Sequence, residues 1–369
     1  MTTLFLLSSL GIGGSERKVV RIANALNHRG HDIHLAWLNT PETLRSEIAP
    51  GIPSLCLERR GKFSWAALRR LQHYVRMHGI TRIICVNLYP ILYARALRLL
   101  LRGAAPSCVI LVNTTEFPTR RAELKMMLYA PLIRGVNEIV FGCGYQLGLW
   151  VDRYRLPDDK CRYIHNGVDS DHFSAHSLGP KDGGYRDAFG LGVEDFVVGT
   201  VGKLRPEKQQ SDLIEAVAIL HERGVHAFVL LAGSGEMEST LKKKAMDKGI
   251  AHKILFLGDL GDVRPLLASI DVFVLTSVSE TFSNATLEAM AMSRPVVLSD
   301  VGGAREMVWE SVNGQTYPVH DVERLGTILE GLAADPAAAC RMGEEARRIA
   351  VEKFSFSHMV DEYERLCVE

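Results

Sequence analysis

The chain has 369 residues, 47% of them hydrophobic, with 43 basic side chains balanced by 43 acidic ones. That is enough for two α/β domains with complete cores. Its seven cysteines (Cys56, Cys85, Cys108, Cys143, Cys161, Cys340, Cys367) are odd in number and contain no C-x-x-C pair, which excludes a disulfide framework and a zinc site and predicts reduced thiols in a cytoplasmic protein.

The zero net charge hides a polarity. Residues 1–169 hold 23 Lys and Arg against 12 Asp and Glu, a net of +11, and the remainder carries −11. Between Glu58 and Glu116 there is no acidic residue, while ten Lys or Arg occur there with His73 and His78. Such a span is either a solvated basic face or a face that meets an anionic partner, a membrane surface or a phosphorylated acceptor. At the N-terminus, MTTLFLLSSLGIGG has no basic region ahead of its apolar run, so it reads as a first strand and not as a signal peptide. The most apolar stretch, YPILYARALRLLLRG, is interrupted by Arg95 and Arg98, so no transmembrane helix is expected.

In chain order, Leu4 to Ser9 predicts a strand, Gly11 to Glu16 a glycine loop, Arg17 to Arg29 a helix stopped by Gly30, and His31 to Leu38 a second strand. The dinucleotide fingerprint fails here. Glu16 stands at the third glycine position and Asp32 precedes the second strand, which disfavours an NAD enzyme. A basic amphipathic helix follows from about Ser64, with Leu68, Leu71 and Val75 as its apolar stripe and Phe63 and Trp65 at its start. It suits an outer helix packed on a sheet, and its polar face also suits a membrane interface. Strands are predicted at Arg82 to Val86, Cys108 to Val112, Glu138 to Cys143 and Cys161 to His165, with a helical region from Arg120, Arg121 and Lys125 onward.

Residues 174–190 are rich in Gly, Ser and charge and read as a connection. A second series follows. It has strand Phe196 to Val201, loop Gly202 to Lys208, helix Ser211 to His221 and strand Ala227 to Ala232 with Gly233-Ser234-Gly235 behind it. Strand Ile254 to Leu257, Gly258 and helix Val263 to Ser269 complete it. Strands alternating with helices predict parallel sheets. After Val297, Gly302-Gly303 and Glu306 the remainder is expected to be helical.

The most informative stretch is Thr276 to Pro295, TSVSETFSNATLEAMAMSRP. A β-branched and aromatic run ends at Leu275, a short polar loop turns, and a helix begins with Ser283 or Asn284 as cap. Backbone N–H groups and the positive end of the helix dipole then point into the loop, where an anion can sit. Glu280 in the loop and Glu288 inside the helix can both face the crevice at the carboxyl end of the sheet.

Glu280, Phe282, Glu288, Ala289, Met290, Ala291, Pro295-Val296-Val297, Asp300-Val301-Gly302-Gly303 and Glu306 together resemble the signature of the retaining family 4 glycosyltransferases of the GT-B fold. The resemblance is dense from about Val198 to Val308 and thinner elsewhere. It implies two Rossmann-like parallel-sheet domains facing a cleft. Residues 1–169 would form the acceptor-side domain, 170–190 the connection, 191–353 the donor domain and 354–369 a helix returning to the first domain; Asn166-Gly167-Val168-Asp169 resembles the passage between the two.

The resemblance also assigns roles. Lys208 would contact the donor phosphates, Glu280 hold the transferred sugar, backbone groups of Phe282, Ser283 and Asn284 meet sugar and phosphate, and Glu288 accept from the ribose. Gly13 and Gly14 would close over the pyrophosphate, and Gly233, Gly235 and Gly258 join the donor-binding set. Two positions depart from the family. Lys203 stands where Arg is common, so Lys203 acts as a point charge or Arg205 takes its place. The His that often follows the strand ending at Val112 is missing, which leaves Glu116 as the acceptor-side polar group or merely a solvated or capping carboxylate.

Expulsion of a nucleoside diphosphate requires stabilised negative charge. Cations and backbone N–H groups can stabilise that charge without a metal, so Lys203, Arg205, Lys208 and the helix amides would serve, with no cofactor. The expected partners are a nucleotide-sugar donor (UDP- or GDP-linked), a saccharide or lipid-linked acceptor and an anionic membrane surface, with no nucleic acid. Alternatives within reach of the same residues are a nucleotide-sugar 2-epimerase and a non-catalytic nucleotide-sugar binder.

Overall fold

The computed structural model describes residues 1–115, 120–178, 184–192 and 194–368. Glu116 lies outside them. The chain forms two compact units, one comprising Met1–His165 with Met359–Glu369 and the other Asn166–His358.

The first unit contains β1 (Thr2–Leu7), α1 (Gly14–His28), β2 (Asp32–Trp37), β3 (Ser54–Cys56), α2 (Trp65–Met77), β4 (Arg82–Val86), α3 (Pro90–Leu101), β5 (Ser107–Val112), α4 (Arg120–Arg134), β6 (Glu138–Phe141), α5 (Gly144–Tyr154) and β7 (Cys161–Tyr163). Its seven parallel strands run in the order β3-β2-β1-β4-β5-β6-β7. Leu4 to Leu7, Ile83 to Val86 and Cys108 to Val112 are all buried, as unbroken apolar strands must be when helices cover both faces. Helix α1 buries Val19, Val20, Ile22, Ala23 and Leu26. It begins three residues before the predicted Arg17, because Gly13 is extended and the helix takes up the loop's Gly14. The apolar segment interrupted by Arg95 and Arg98 is α3, whose Ile91, Tyr93, Ala94 and Leu97 are buried. Among the described residues no helix is long and apolar enough to cross a membrane.

The second unit contains α6 (Tyr185–Ala188), β8 (Phe196–Val201), α7 (Gln210–Glu222), β9 (Ala227–Ala232), α8 (Glu238–Asp247), β10 (Ile254–Gly258), α9 (Arg264–Ser269), β11 (Val272–Leu275), α10 (Asn284–Ala291), β12 (Val296–Ser299), α11 (Ala304–Met307), β13 (Gly314–Tyr317), α12 (Val322–Ala334) and α13 (Pro336–Lys353). Its six strands run β10-β9-β8-β11-β12-β13, also all parallel. The expectation of helix alone beyond Glu306 is wrong, because β13 intervenes. The tetrapeptide GQTY pairs with β12 as an edge strand, Val296 opposite Gly314 through Ser299 opposite Tyr317, although it carries no apolar run. The short edge strand β3 was likewise not predicted.

Helix α14 (Phe356–Val368) begins in the second unit, and from Met359 it is part of the first. There it buries Met359, Val360, Tyr363, Leu366 and Cys367. Arg29 reaches Asp361 at 2.7 Å and Glu364 at 2.5 Å, and Arg82 donates to the Leu366 carbonyl.

Both sheets share one arrangement. The second strand of each unit lies on one side of the first (β2 beside β1, β9 beside β8), and the fourth strand lies on the other (β4 beside β1, β11 beside β8). Chain connections therefore diverge between β1 and β4 and between β8 and β11. An open α/β sheet leaves its ligand crevice at that point, outside the carboxyl ends of the strands.

Candidate active site

In the second unit the loop after β8 and the loop after β11 meet at this point of divergence. Pro206–Lys208 forms a single tight turn, and Gln209 in the left-handed region turns the chain into α7. Two bonds tie the loops together. The Thr276 hydroxyl donates to the Lys208 carbonyl at 2.8 Å, and the Val278 N–H donates to the Glu207 carbonyl at 2.9 Å. Lys208 Nζ is thereby brought to 2.5 Å from Glu280 Oε2, with each side chain about four-fifths buried. The two residues are 72 positions apart in sequence.

Glu280 is braced from below. Gly302 has φ +55°, and a Cβ there would collide with the Glu280 carbonyl. The next residue, Gly303, donates its N–H to the Thr281 carbonyl at 2.8 Å. Only glycine lets the β12 loop approach this closely in that conformation.

Three residues beyond Glu280 the helix starts. Ser283 is its N-cap, its hydroxyl accepting from the Thr286 N–H at 3.2 Å. Asn284 is exposed at the tip. Phe282 is buried, its carbonyl accepting from Asn166 Nδ2 at 2.8 Å and its ring edge-on to Phe354 at 5.3 Å. Apolar burial by Leu287, Ala289, Met290 and Ala291 fixes the helix, so the partial positive charge of its first turn is held beside the Lys208–Glu280 pair. Glu288 lies on its second turn, partly exposed.

Other sequence-predicted residues are placed differently. Lys203 turns away from Lys208 and pairs with Asp259 at 2.9 Å, and Ser234 Oγ donates to the same carboxylate at 2.6 Å. Asp259 is held below the usual carboxylate value by that hydroxyl and then by Lys203. Arg205 is exposed and lies 3.8 Å from Glu207. Gly233 and Gly235 abut the backbone of the β8 loop, where a Cβ would strike the Gly202 and Leu204 carbonyls respectively; they allow the β9 loop to lie flat against the lysine-bearing loop. Gly258 accepts from the Gly233 N–H at 2.7 Å. The sequence reading gave no site role to Asp259, Ser234, Thr276, Asn166 or Gly302, although Asn166 and Gly302 lie in the quoted motifs and Asp259 comes just after the predicted strand Ile254 to Leu257 and Gly258.

In the first unit Gly13 and Gly14 form the junction between β1 and α1. Beside it, Lys18 Nζ donates to Asn113 Oδ1 at 3.1 Å, and Asn113 Nδ2 donates to Asn87 Oδ1 at 3.1 Å. Burial pushes the Lys18 amine down to about 8. Among the described residues no three or more His, Cys, Asp or Glu side chains are gathered to hold a metal ion.

Comparisons with known proteins bear on the fold and the family. The crystal structure of Anabaena Alr3699/HepE in complex with UDP superposes with a TM-score of 0.86 over 99% of both chains at 20% identity. The fold is that of the GT-B glycosyltransferases. Residues 184–349 match the family model of glycosyl transferases group 1, and residues 12–172 match that of glycosyltransferase family 4. The chain belongs to this family.

Among relatives, the lipopolysaccharide core biosynthesis glycosyltransferase LpsE of Rhizobium meliloti is 34% identical over 46% of this chain and 49% of its own length. The N-acetyl-alpha-D-glucosaminyl L-malate synthase of Bacillus anthracis is 23% identical over 96% of this chain and 93% of its own. With the first three relatives the match spans about half of their length.

Proposed function

We propose that the protein moves a sugar from a UDP- or GDP-linked donor to a saccharide or lipid-linked acceptor, with retention at the anomeric carbon and without a metal ion. The observation that carries this reading is the Lys208–Glu280 pair, 2.5 Å apart at the divergence of β8 and β11 beside the first turn of α10. An incoming diphosphate takes the ammonium of Lys208 and the helix amides, releasing Glu280 to accept from sugar hydroxyls. The charge that builds on the leaving diphosphate then falls on groups already in place, the most effective form of electrostatic catalysis. Glu288 accepts from the ribose. Retention follows if the acceptor oxygen attacks from the leaving-group side and passes its proton to the departing phosphate, a route that needs no second carboxylate.

Names of relatives support a role in surface polysaccharide or glycolipid synthesis: one acts in lipopolysaccharide core biosynthesis, and the HepE structure holds UDP. The membrane would be met by the outer face of α2, where Trp65 and Met77 are exposed among Arg69, Arg70, His73 and Arg76. Salt-sensitive sedimentation with anionic but not neutral vesicles tests that part.

The reaction is tested by a thermal-shift screen of UDP- and GDP-sugars, followed by turnover of the best donor with and without EDTA. Formation of a glycoside that keeps the donor's anomeric configuration, undiminished by EDTA, is the expected result. Loss of activity on chelation removes the metal-free mechanism, and donor epimerisation without acceptor makes the protein an isomerase.

A further inference from the structure

We infer that Asp259 is a built-in competitor for the nucleoside diphosphate: it holds Lys203 until a ligand of sufficient negative charge draws that ammonium away. This rests on the glycosyl-transfer reading and adds to it a determinant of donor affinity. The loop after β8 carries three cations, and each has a carboxylate beside it. Lys203 Nζ lies 2.9 Å from Asp259, Arg205 lies 3.8 Å from Glu207, and Lys208 Nζ lies 2.5 Å from Glu280. These six side chains sum to zero charge, so a diphosphate engages the cations in competition with carboxylates already in place.

The three pairs differ in how firmly they hold. Arg205 and Glu207 are far apart for an ion pair and offer a ligand little resistance. Lys208 and Glu280 are each about four-fifths buried and belong to the reaction itself. Lys203 and Asp259 stand between these extremes, 55% and 56% exposed but well joined. Lys203 Nζ donates to both carboxylate oxygens, at 3.0 and 2.9 Å, and Ser234 Oγ donates to Asp259 Oδ2 at 2.6 Å. The three side chains come from the loops after β8, β9 and β10. Those loops are fixed to one another, because Gly233 and Gly235 lie against the Gly202 and Leu204 carbonyls and the Gly233 N–H donates to the carbonyl of Gly258, the residue before Asp259. The Lys203 backbone is held as well, its carbonyl accepting from Gln210 Nε2 at 3.1 Å. Exchange of partners therefore falls to the flexible lysine stem, which can swing without moving the loop. A neutral nucleoside cannot compete for that ammonium and a diphosphate can, so the restraint acts on ligands according to their phosphate charge.

The test uses the full chain and isothermal titration with uridine, UMP and UDP and with guanosine, GMP and GDP. The samples are wild type, Asp259→Asn, Lys203→Met and the double variant Asp259→Asn/Lys203→Met, each checked for folding by circular dichroism. Expected is tighter binding of the preferred diphosphate by Asp259→Asn, by about two- to five-fold, the range that release from an exposed ion pair allows. A smaller gain is expected for the monophosphate and none for the nucleoside. Lys203→Met should weaken diphosphate binding, and in the double variant the gain should vanish. The inference falls if Asp259→Asn binds diphosphate no better than wild type, or if nucleoside and diphosphate gain alike, which would place Asp259 against the base. It falls too if the gain survives without Lys203, because simple removal of negative charge then explains it. Wild type that binds neither diphosphate overturns the donor reading and this inference with it, whereas wild type that binds while Asp259→Asn changes nothing overturns this inference alone.

Discussion

The two units place a lysine at the same topological position and surround it with different chemistry. In the second unit Lys208 meets a carboxylate at 2.5 Å, held by a loop that Gly302 and Gly303 brace. In the first, Lys18 donates to an amide at 3.1 Å. A lysine paired with a carboxylate is neutralised until a ligand exchanges with its partner, whereas burial holds the Lys18 amine below its ordinary pKa. The fold supplies the location twice, and the partner residue decides what each location can hold.

The largest effect is expected from breaking the second unit's pair. Glu280→Gln or Lys208→Met is predicted to lower kcat/KM by on the order of 10²–10³-fold, and Glu280→Gln/Lys208→Met to lose no more than the worse single variant, because the two act as a unit. Each single variant strands a largely buried charge and should lose about 1–3 kcal/mol of stability, part of which the double variant recovers. Additive losses in turnover would mean that the residues serve separate steps.

Next comes Gly302→Ala, which tests whether the brace matters. It should cost roughly 1–3 kcal/mol in chemical denaturation and raise KM for the donor, since Glu280 must shift to admit the methyl group. Unchanged stability and KM would show that the loop tolerates displacement.

Lys18→Met sharpens the other side of the comparison. Its folded-state pKa of about 8 lies below the ordinary 10.5, so between those values the unfolded chain binds the extra proton and stability contributed at this site rises with pH. Lys18→Met should therefore be more stable than wild type below about pH 8, with the gap closing as pH approaches 10.5. A gap that is constant with pH refutes the buried-charge account. The smallest effect is expected from Asp259→Asn, which loosens an exposed ion pair and should leave the denaturation midpoint close to that of wild type.

The pattern of these effects follows what the sequence could reveal. Buried parallel strands such as Phe196–Val201 and Ala227–Ala232 are legible because both faces are apolar and turn residues bound them. Gly314–Tyr317 and Ser54–Cys56 are not, since edge strands need a neighbour's hydrogen bonds more than an apolar run. Ser283 is visible as a cap because capping is local. By contrast, nothing local to Lys203 announces its partner Asp259, 56 residues away. Asn87 and Asn113 carry no motif at all; only the adjacency of β4 and β5 brings them together.

Helix α14 has a practical consequence for anyone who would dissect or recombine this protein. Residues 1–165 expressed alone would lack the Leu366 carbonyl that accepts from the nearly buried Arg82, both acidic partners of Arg29, and the apolar cover given by Tyr363 and Leu366. Chimeras that exchange only a contiguous C-terminal half with a relative inherit a foreign helix in that groove. A working graft must carry the last eleven residues with the N-terminal part, by circular permutation or as a separate peptide supplied in trans.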